Sequence, residues 1–289
     1  MCAVVLGWSQ RASAQACCAG AGAVTPARLA VHEDALAGGL ARASNFYGTF
    51  FDQGNFVRAS ATEWELEQDV FAALRLTSRA QAALLVPLVE TYVRTSSGSD
   101  FGGGMGDVNV SGRYDFVLAG ESGLVPGVAA LGGLTFPTGR PTDASNAANH
   151  PLGADVTGIG AYQVNLGLAL EQTTGPWLFG VTGLYAKRTS RTVGGQTTSL
   201  GAQWTALAAA AYTFPNDAAL ALLASYAVQV DTDTASGRRI PLLTLSGLYP
   251  FTDRWRIQGG LFFTPPVPSL GRNTPGTAGA QLGVVRSWS

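Results

Sequence analysis

At 289 residues the chain is long enough for one or two soluble domains or for a single closed barrel of moderate size. Charged residues make up only 13% of it and Gly contributes 37 residues, against a usual charged share of about a quarter, so something other than water faces much of the surface. The net charge of −1, with Lys and Arg scattered singly, excludes nucleic acid as a partner. A mean hydropathy of +0.17, with no uninterrupted apolar run of about eighteen residues, excludes a spanning helix.

In chain order, Cys2 to Trp8 form a short apolar stretch, and Ala14-Gln15-Ala16 fits the small-x-small rule for signal peptidase. Residues 1–16 are therefore expected to be an export signal cleaved after Ala16. No Lys or Arg precedes Arg11, so either the true start lies further upstream or the segment is not a signal. Cys17 and Cys18 raise a second reading, a lipoprotein acylated on Cys17, although Gln15 and Ala16 fit a lipobox poorly. Three cysteines, two of them adjacent, make neither a disulfide framework nor a spaced zinc site.

Residues 17–35 carry Pro26, Arg28, Glu33 and Asp34 and either hang in the periplasm or fold inward as a plug. His32 beside Glu33 and Asp34 has metal-binding residue types but no second His or spaced Cys near it, so no metal or other cofactor is expected.

From residue 36 to 289 one theme repeats: ten to fifteen residues alternating apolar with small or polar, then a break. A period of two argues strand, because successive side chains point to opposite faces. Glu63, Glu65, Glu67 and Asp69 share one face, opposite Trp64, Leu66 and Val70. Gly102-Gly103-Gly104 with Gly106 lacks the Lys and following helix of a phosphate loop and reads as a flexible external loop. In Asp107–Phe116, Val108, Val110, Tyr114 and Phe116 oppose Asp107, Asn109, Ser111, Arg113 and Asp115.

His150 lies near Ser145 and Asn146 in the longest loop, where a solvent-exposed His is expected rather than a hydrolase, and no enzyme activity is assigned. Tyr162–Glu171 and Arg254–Phe263 alternate again. The alanine-rich residues 205–211 have poor strand preference, leaving a helix open there.

Aromatics fall near strand ends on the apolar faces, as in the interfacial girdles of a membrane barrel. The girdle set is Trp64, Tyr162, Trp177, Tyr185, Trp204, Tyr212, Phe214, Tyr249, Trp255, Phe263 and Trp288. Short breaks near Ser78-Arg79, Gly120-Glu121, Thr174-Gly175, Asn216-Asp217 and Thr252-Asp253 alternate with long ones near residues 51–61, 96–104, 139–156, 190–198, 232–239 and 265–275.

That alternation predicts an all-β fold, a transmembrane antiparallel up-and-down barrel of about twelve strands, with tight periplasmic turns and long external loops. Closure follows because lipid offers backbone N–H and C=O no partner, so sheet edges must pair with each other. A soluble secreted β-sandwich is the competing architecture.

Gly106-Asp107-Val108-Asn109-Val110-Ser111-Gly112-Arg113-Tyr114 resembles the glycine-aspartate-strand signature of outer-membrane proteins grouped with the meta-pathway of phenol degradation. Leu134-Thr135-Phe136-Pro137-Thr138-Gly139 is similar to that family's strand ending in Pro-Thr-Gly. Gly158–Leu170, followed by Gly175-Pro176-Trp177, resembles its next strand and turn. The resemblance covers roughly residues 84–190. It implies an outer-membrane barrel that helps small, often hydrophobic or aromatic, molecules cross, and it carries over no binding residues. Arg286-Ser287-Trp288-Ser289 runs one residue past the terminal aromatic on which such barrels usually end, which bears on recognition by the barrel-assembly machinery.

The lumen is expected to be lined by the polar strand faces. Its candidates are Glu63, Glu65, Glu67, Asp69, Arg75, Asp107, Arg113, Asp115, Glu171, Arg254 and Arg256. Four stacked carboxylates repel unless paired, so a transverse arrangement against Arg75, Arg113, Arg254 and Arg256 is predicted. Two functions compete: a passive or gated conduit in the bacterial outer membrane, and a structural or adhesive barrel filled by its own side chains.

Overall fold

A computed structural model describes residues 28–121 and 125–289. The export segment, all three cysteines and residues 17–27 of the N-terminal segment lie outside the described residues. The strands are β1 (Ala35–Phe50), β2 (Phe56–Arg58), β3 (Thr62–Thr77), β4 (Ala80–Thr95), β5 (Gly98–Met105), β6 (Asn109–Val117), β7 (Gly127–Thr135) and β8 (Gln163–Thr174). They continue as β9 (Trp177–Arg188), β10 (Arg191–Val193), β11 (Gln196–Thr198), β12 (Gln203–Thr213), β13 (Ala219–Gln229), β14 (Arg238–Pro250), β15 (Trp255–Phe263) and β16 (Thr274–Trp288).

Each wall strand pairs antiparallel with its sequence neighbour, and β16 returns to β1 with Ala35 opposite Trp288 and Phe50 opposite Thr274. β5 and β6 pair with successive parts of β4 and share one position in the wall, while β2 is a short appendage on β1. The result is a closed twelve-strand antiparallel barrel, the architecture that the loop alternation predicts. Closure through β16 and β1 leaves the main wall without terminal edge strands, which is what hydrocarbon surroundings demand, while β5 and β2 each pair on one side only.

Alternation sorts side chains to the two faces. On β8, Val164, Leu166, Leu168 and Leu170 are each between 44% and 60% exposed, while Ala169 and Glu171 between them are buried. The exposed row is the lipid face and the buried row the lumen. The alanine-rich residues 205–211 belong to β12, held by full ladders to β9 and β13. Tertiary pairing there overrides weak intrinsic preference.

The girdle aromatics lie on the outer face near the strand ends. Trp177, Tyr212, Phe214, Tyr249, Trp255 and Trp288 are at the end that carries the tight turns, and Trp64, Tyr162, Tyr185, Trp204 and Phe263 are at the other. Neighbours touch ring to ring, Tyr185 with Trp204 at 4.6 Å and Trp177 with Tyr212 at 4.9 Å between centroids.

One long break is corrected. Residues 96–104 are not a loop: β4 turns tightly into β5, which runs back along it from Thr95–Gly98 to Leu88–Met105. The glycines are there because β5 is squeezed. A Cβ on Gly103 would lie 2.3 Å from the Val89 carbonyl, and one on Gly102 2.8 Å from the Ala154 backbone. At about 3.3 Å per residue, the 16-residue β1, β3 and β4 overshoot the span that about 9–11 residues cover. They form a tall wall on this side of the barrel.

Candidate functional site: the lumen, its crossing segment and its loop clamp

The described part of the N-terminal segment, residues 28–34, lies across the lumen at the end where the tight turns are. Leu29 packs with Leu36, Leu40, Phe71, Ala73 and Val285 on one wall. Ala30 packs with Leu178, Leu207, Ala211, Ala219, Leu223 and Leu248 on the opposite one. These inward leucines correct the expectation of a lumen lined by polar faces throughout. In this half both faces of β9, β12, β13 and β14 are apolar, because the inner one buries against the crossing segment.

Side chains fix the segment in place. Glu33 forms an ion pair with Arg256, and its Oε2 accepts from the Ala30 amide at 2.8 Å. Arg75 donates to the Glu33 carbonyl at 2.8 Å and to the Ala30 carbonyl. The Leu29 amide donates to Gln81 Oε1 at 3.2 Å. Arg28 makes a two-pronged pair with Glu171 at 2.6 and 2.5 Å, and Arg113 bonds the same carboxylate at 3.2 and 2.9 Å while pairing with Asp115 at 2.7 Å. Planar guanidinium forks suit such shared carboxylates.

Further out the interior opens. A chamber of about 310 Å3 is lined by Leu85, Leu131, Leu184 and Ala186 in its apolar part. Its polar lining comes from Gln81, Asn109, Ser111, Arg113, Asn165, Gln163, Gln203 and Thr205. Glu63, Glu65, Glu67 and Asp69 lie on the inner face of β3 with buried Phe71 and Ala73, opposite exposed Trp64, Leu66 and Val70.

Their neighbours differ from those anticipated. Arg75 and Arg256 hold the crossing segment, Arg113 shares Glu171 with it, and Arg254 stands exposed in the β14–β15 turn, one step before the strand begins. The base that reaches the row is Arg42 of β1, which stands opposite Glu67 in register, 3.6 Å from its carboxylate, and 4.4 Å above the Phe262 ring. Cross-strand register decides pairing, and Arg75 lies several residues down the strand. Nearly half-way round the wall, Arg188 of β9 faces inward and donates to Gln163, Gln229 and Gln203 at 2.7, 3.0 and 2.6 Å. Arg42 and Arg188 are the interior cations that the sequence reading misses.

Asp107 is also corrected, since it lies in the gap between β5 and β6 and clamps the loop of residues 136–162. Its two oxygens accept from the Gly139 and Ile159 amides at 2.9 and 2.5 Å. Thr138 Oγ1 accepts from the Val108 amide at 2.9 Å and donates to the Gly106 carbonyl at 2.6 Å. The three stretches that carry the family resemblance therefore meet in space.

Beyond the clamp, Asp100 accepts from the Leu152 and Ala154 amides at 3.1 and 3.2 Å and contacts His150 at 3.0 Å. Asp155 takes Arg140 at 2.6 Å, the Asn146 amide at 3.0 Å and the Ser145 hydroxyl. Burial pushes the Asp155 carboxyl up, but these hydrogen bonds outweigh it and hold it well below the usual carboxylate range. His150 and Ser145 thus serve different carboxylates, Asp100 on β5 and Asp155 in the folded loop.

Among curated proteins no sequence matches the chain. The fold is that of the COG4313 outer membrane channel from Pseudomonas putida F1, with 16% identity, a TM-score of 0.72, and coverage of 89% of this chain and 96% of that one. The translocator domain of the autotransporter NalP from Neisseria meningitidis is a more distant likeness, with 12% identity, a TM-score of 0.51 and 88% of each chain covered. These place the barrel among those of the bacterial outer membrane. A family model described as putative MetA-pathway of phenol degradation matches residues 50–265, the greater part of the chain, and the protein belongs to that family.

Proposed function

We propose that the chain is a gated outer-membrane conduit for small molecules with a hydrophobic, often aromatic, body. The observation that carries this reading is the chamber. Open space inside the wall, apolar in the middle and polar around it, ends on a segment held by polar side chains from four strands. A barrel serving only as a scaffold would gain more by filling that space, since voids forfeit contacts. The family description, phenol degradation, and the Pseudomonas relative, an outer membrane channel, agree with this reading.

In this reading the interior charges have two tasks. The Arg28–Glu171–Arg113 and Glu33–Arg256 pairs hold the gate shut, and the β3 carboxylates tune which ions and solutes enter from outside. No catalytic step is assigned. The last strand, with outward Leu282, Val284 and Trp288, is the surface offered to the assembly machinery, and the aromatic girdles seat the barrel in the bilayer.

Single-channel recording in planar bilayers tests the proposal. Discrete openings, made longer by substitutions that loosen the gate, are expected. Silence at all voltages, in the parent and in gate variants alike, favours the sealed barrel.

A further inference from the structure

The external half of the lumen holds a cation that neutral amides surround. Arg188 has five N–H donors, and three hydrogen bonds tie them to the amide oxygens of Gln163, Gln203 and Gln229. Among the described residues no carboxylate pairs with it. The charged group that acts on it is another cation, Arg238, whose strand position is opposite Gln229.

The glutamines are themselves oriented. Gln163 Nε2 donates to Asn165 at 2.7 Å and Gln203 Nε2 to Thr205 at 3.2 Å, which turns both carbonyl ends toward the guanidinium. Neutral acceptors hold the fork in place without cancelling its charge, and a desolvated positive group of this kind attracts an anion.

Two further features fix the kind of anion. Gln163 and Gln203 line the chamber and are two of the three side chains that hold Arg188, so the guanidinium adjoins its outer end, while its middle is Leu85, Leu131 and Leu184. Across the lumen stand Glu63, Glu65 and Glu67, which repel an anion toward the Arg188 side. A volume of about 310 Å3 lies in the range of small-molecule sites.

We infer that this chamber binds a small organic acid, its carboxylate on Arg188 and its hydrocarbon or aromatic body between Leu85, Leu131 and Leu184. The inference rests on the conduit reading and names the solute class that the conduit selects: carboxylated hydrophobes over neutral ones of the same shape.

The test is isothermal titration of the purified barrel in non-ionic detergent with sodium benzoate, beside benzyl alcohol as the uncharged counterpart. Arg188→Gln is expected to weaken benzoate by at least about tenfold, the worth of one charge-assisted hydrogen bond, and to leave benzyl alcohol unchanged. Should Arg188→Gln fail the heat-modifiable gel shift of a folded barrel, Leu184→Trp fills the chamber without touching the arginine and is expected to abolish binding of both. Benzoate binding no tighter than that of benzyl alcohol, or equal in parent and variants, overturns the site. Conductance separates the two claims: a barrel that opens but shows no benzoate preference refutes this inference alone. A barrel silent in every gate variant that still binds benzoate through Arg188 refutes the conduit and upholds the site.

Discussion

At the periplasmic end of the lumen Glu33, Glu171 and Asp115 each meet a guanidinium and the leucines of facing walls close over the crossing segment. At the external end four carboxylates stand in a row with Arg42 as their near cation, and Arg188 is held by amides alone. The contrast separates two uses of charge inside one barrel. Paired and dry, charges fix a conformation, and breaking one partner leaves an expensive orphan. Underpaired, they stay available to solutes.

The sharpest way to break this comparison is Glu33→Leu, which removes one member of the buried Glu33–Arg256 pair and the acceptor of the Ala30 amide, at a cost of up to roughly 3–5 kcal/mol. The 28–34 segment should disengage, and conductance in planar bilayers should rise several-fold; an unaltered trace would mean that the segment is not the gate. At the other end, Glu65→Gln with Glu67→Gln should leave folding intact and move the reversal potential in a salt gradient away from cation preference. Unchanged selectivity would remove the β3 carboxylates from the permeation path.

Acid probes the external loop. Because the Asp155 carboxyl is held low in the folded loop, its contribution is complete above the ordinary carboxylate value near about 4. It disappears as pH falls through the lower folded value. Limited proteolysis within residues 136–162 should therefore be constant from about pH 7 to 5 and accelerate only below about pH 4, while Asp155→Asn should be cleaved readily throughout. The smallest effect is expected outside the lumen: Tyr185→Ala loses the Trp204 ring contact and should cost about 1 kcal/mol in urea unfolding from lipid vesicles.

Much of this was legible in the residues. Period-two alternation marks the lipid face of β3, β6 and β8 because hydrocarbon and interior differ most where the inner row is charged. The signal weakens at Leu178, Leu223 and Leu248, which point inward yet are apolar, because a dry lumen and a lipid face select the same side chains. Arg42 is a single charge among small residues, Ala41-Arg42-Ala43, and Arg188 follows Lys187 at the end of its strand, with no local pattern to mark either as interior; counting strand parity from Glu67 across the β1–β3 pair would have found the first. Asp107 shares the parity of Arg113 but falls before the strand begins, so parity alone assigned it to the wall. Gly102–Gly104 read as a loop because sequence records flexibility, whereas the structure uses the missing side chains for close approach.

The pairing of Ala35 with Trp288 and Phe50 with Thr274 has a consequence for biogenesis. The opening strand of the wall finds its second neighbour only in the closing one, so every earlier hairpin waits with a raw rim until the seam is sewn. Contacts so remote along the chain are slow to form, and a rim left open invites other chains. The seam is thus the last and most exposed step of assembly, and a lesion anywhere in β16 should cost yield of inserted protein before it costs the properties of the molecules that do assemble.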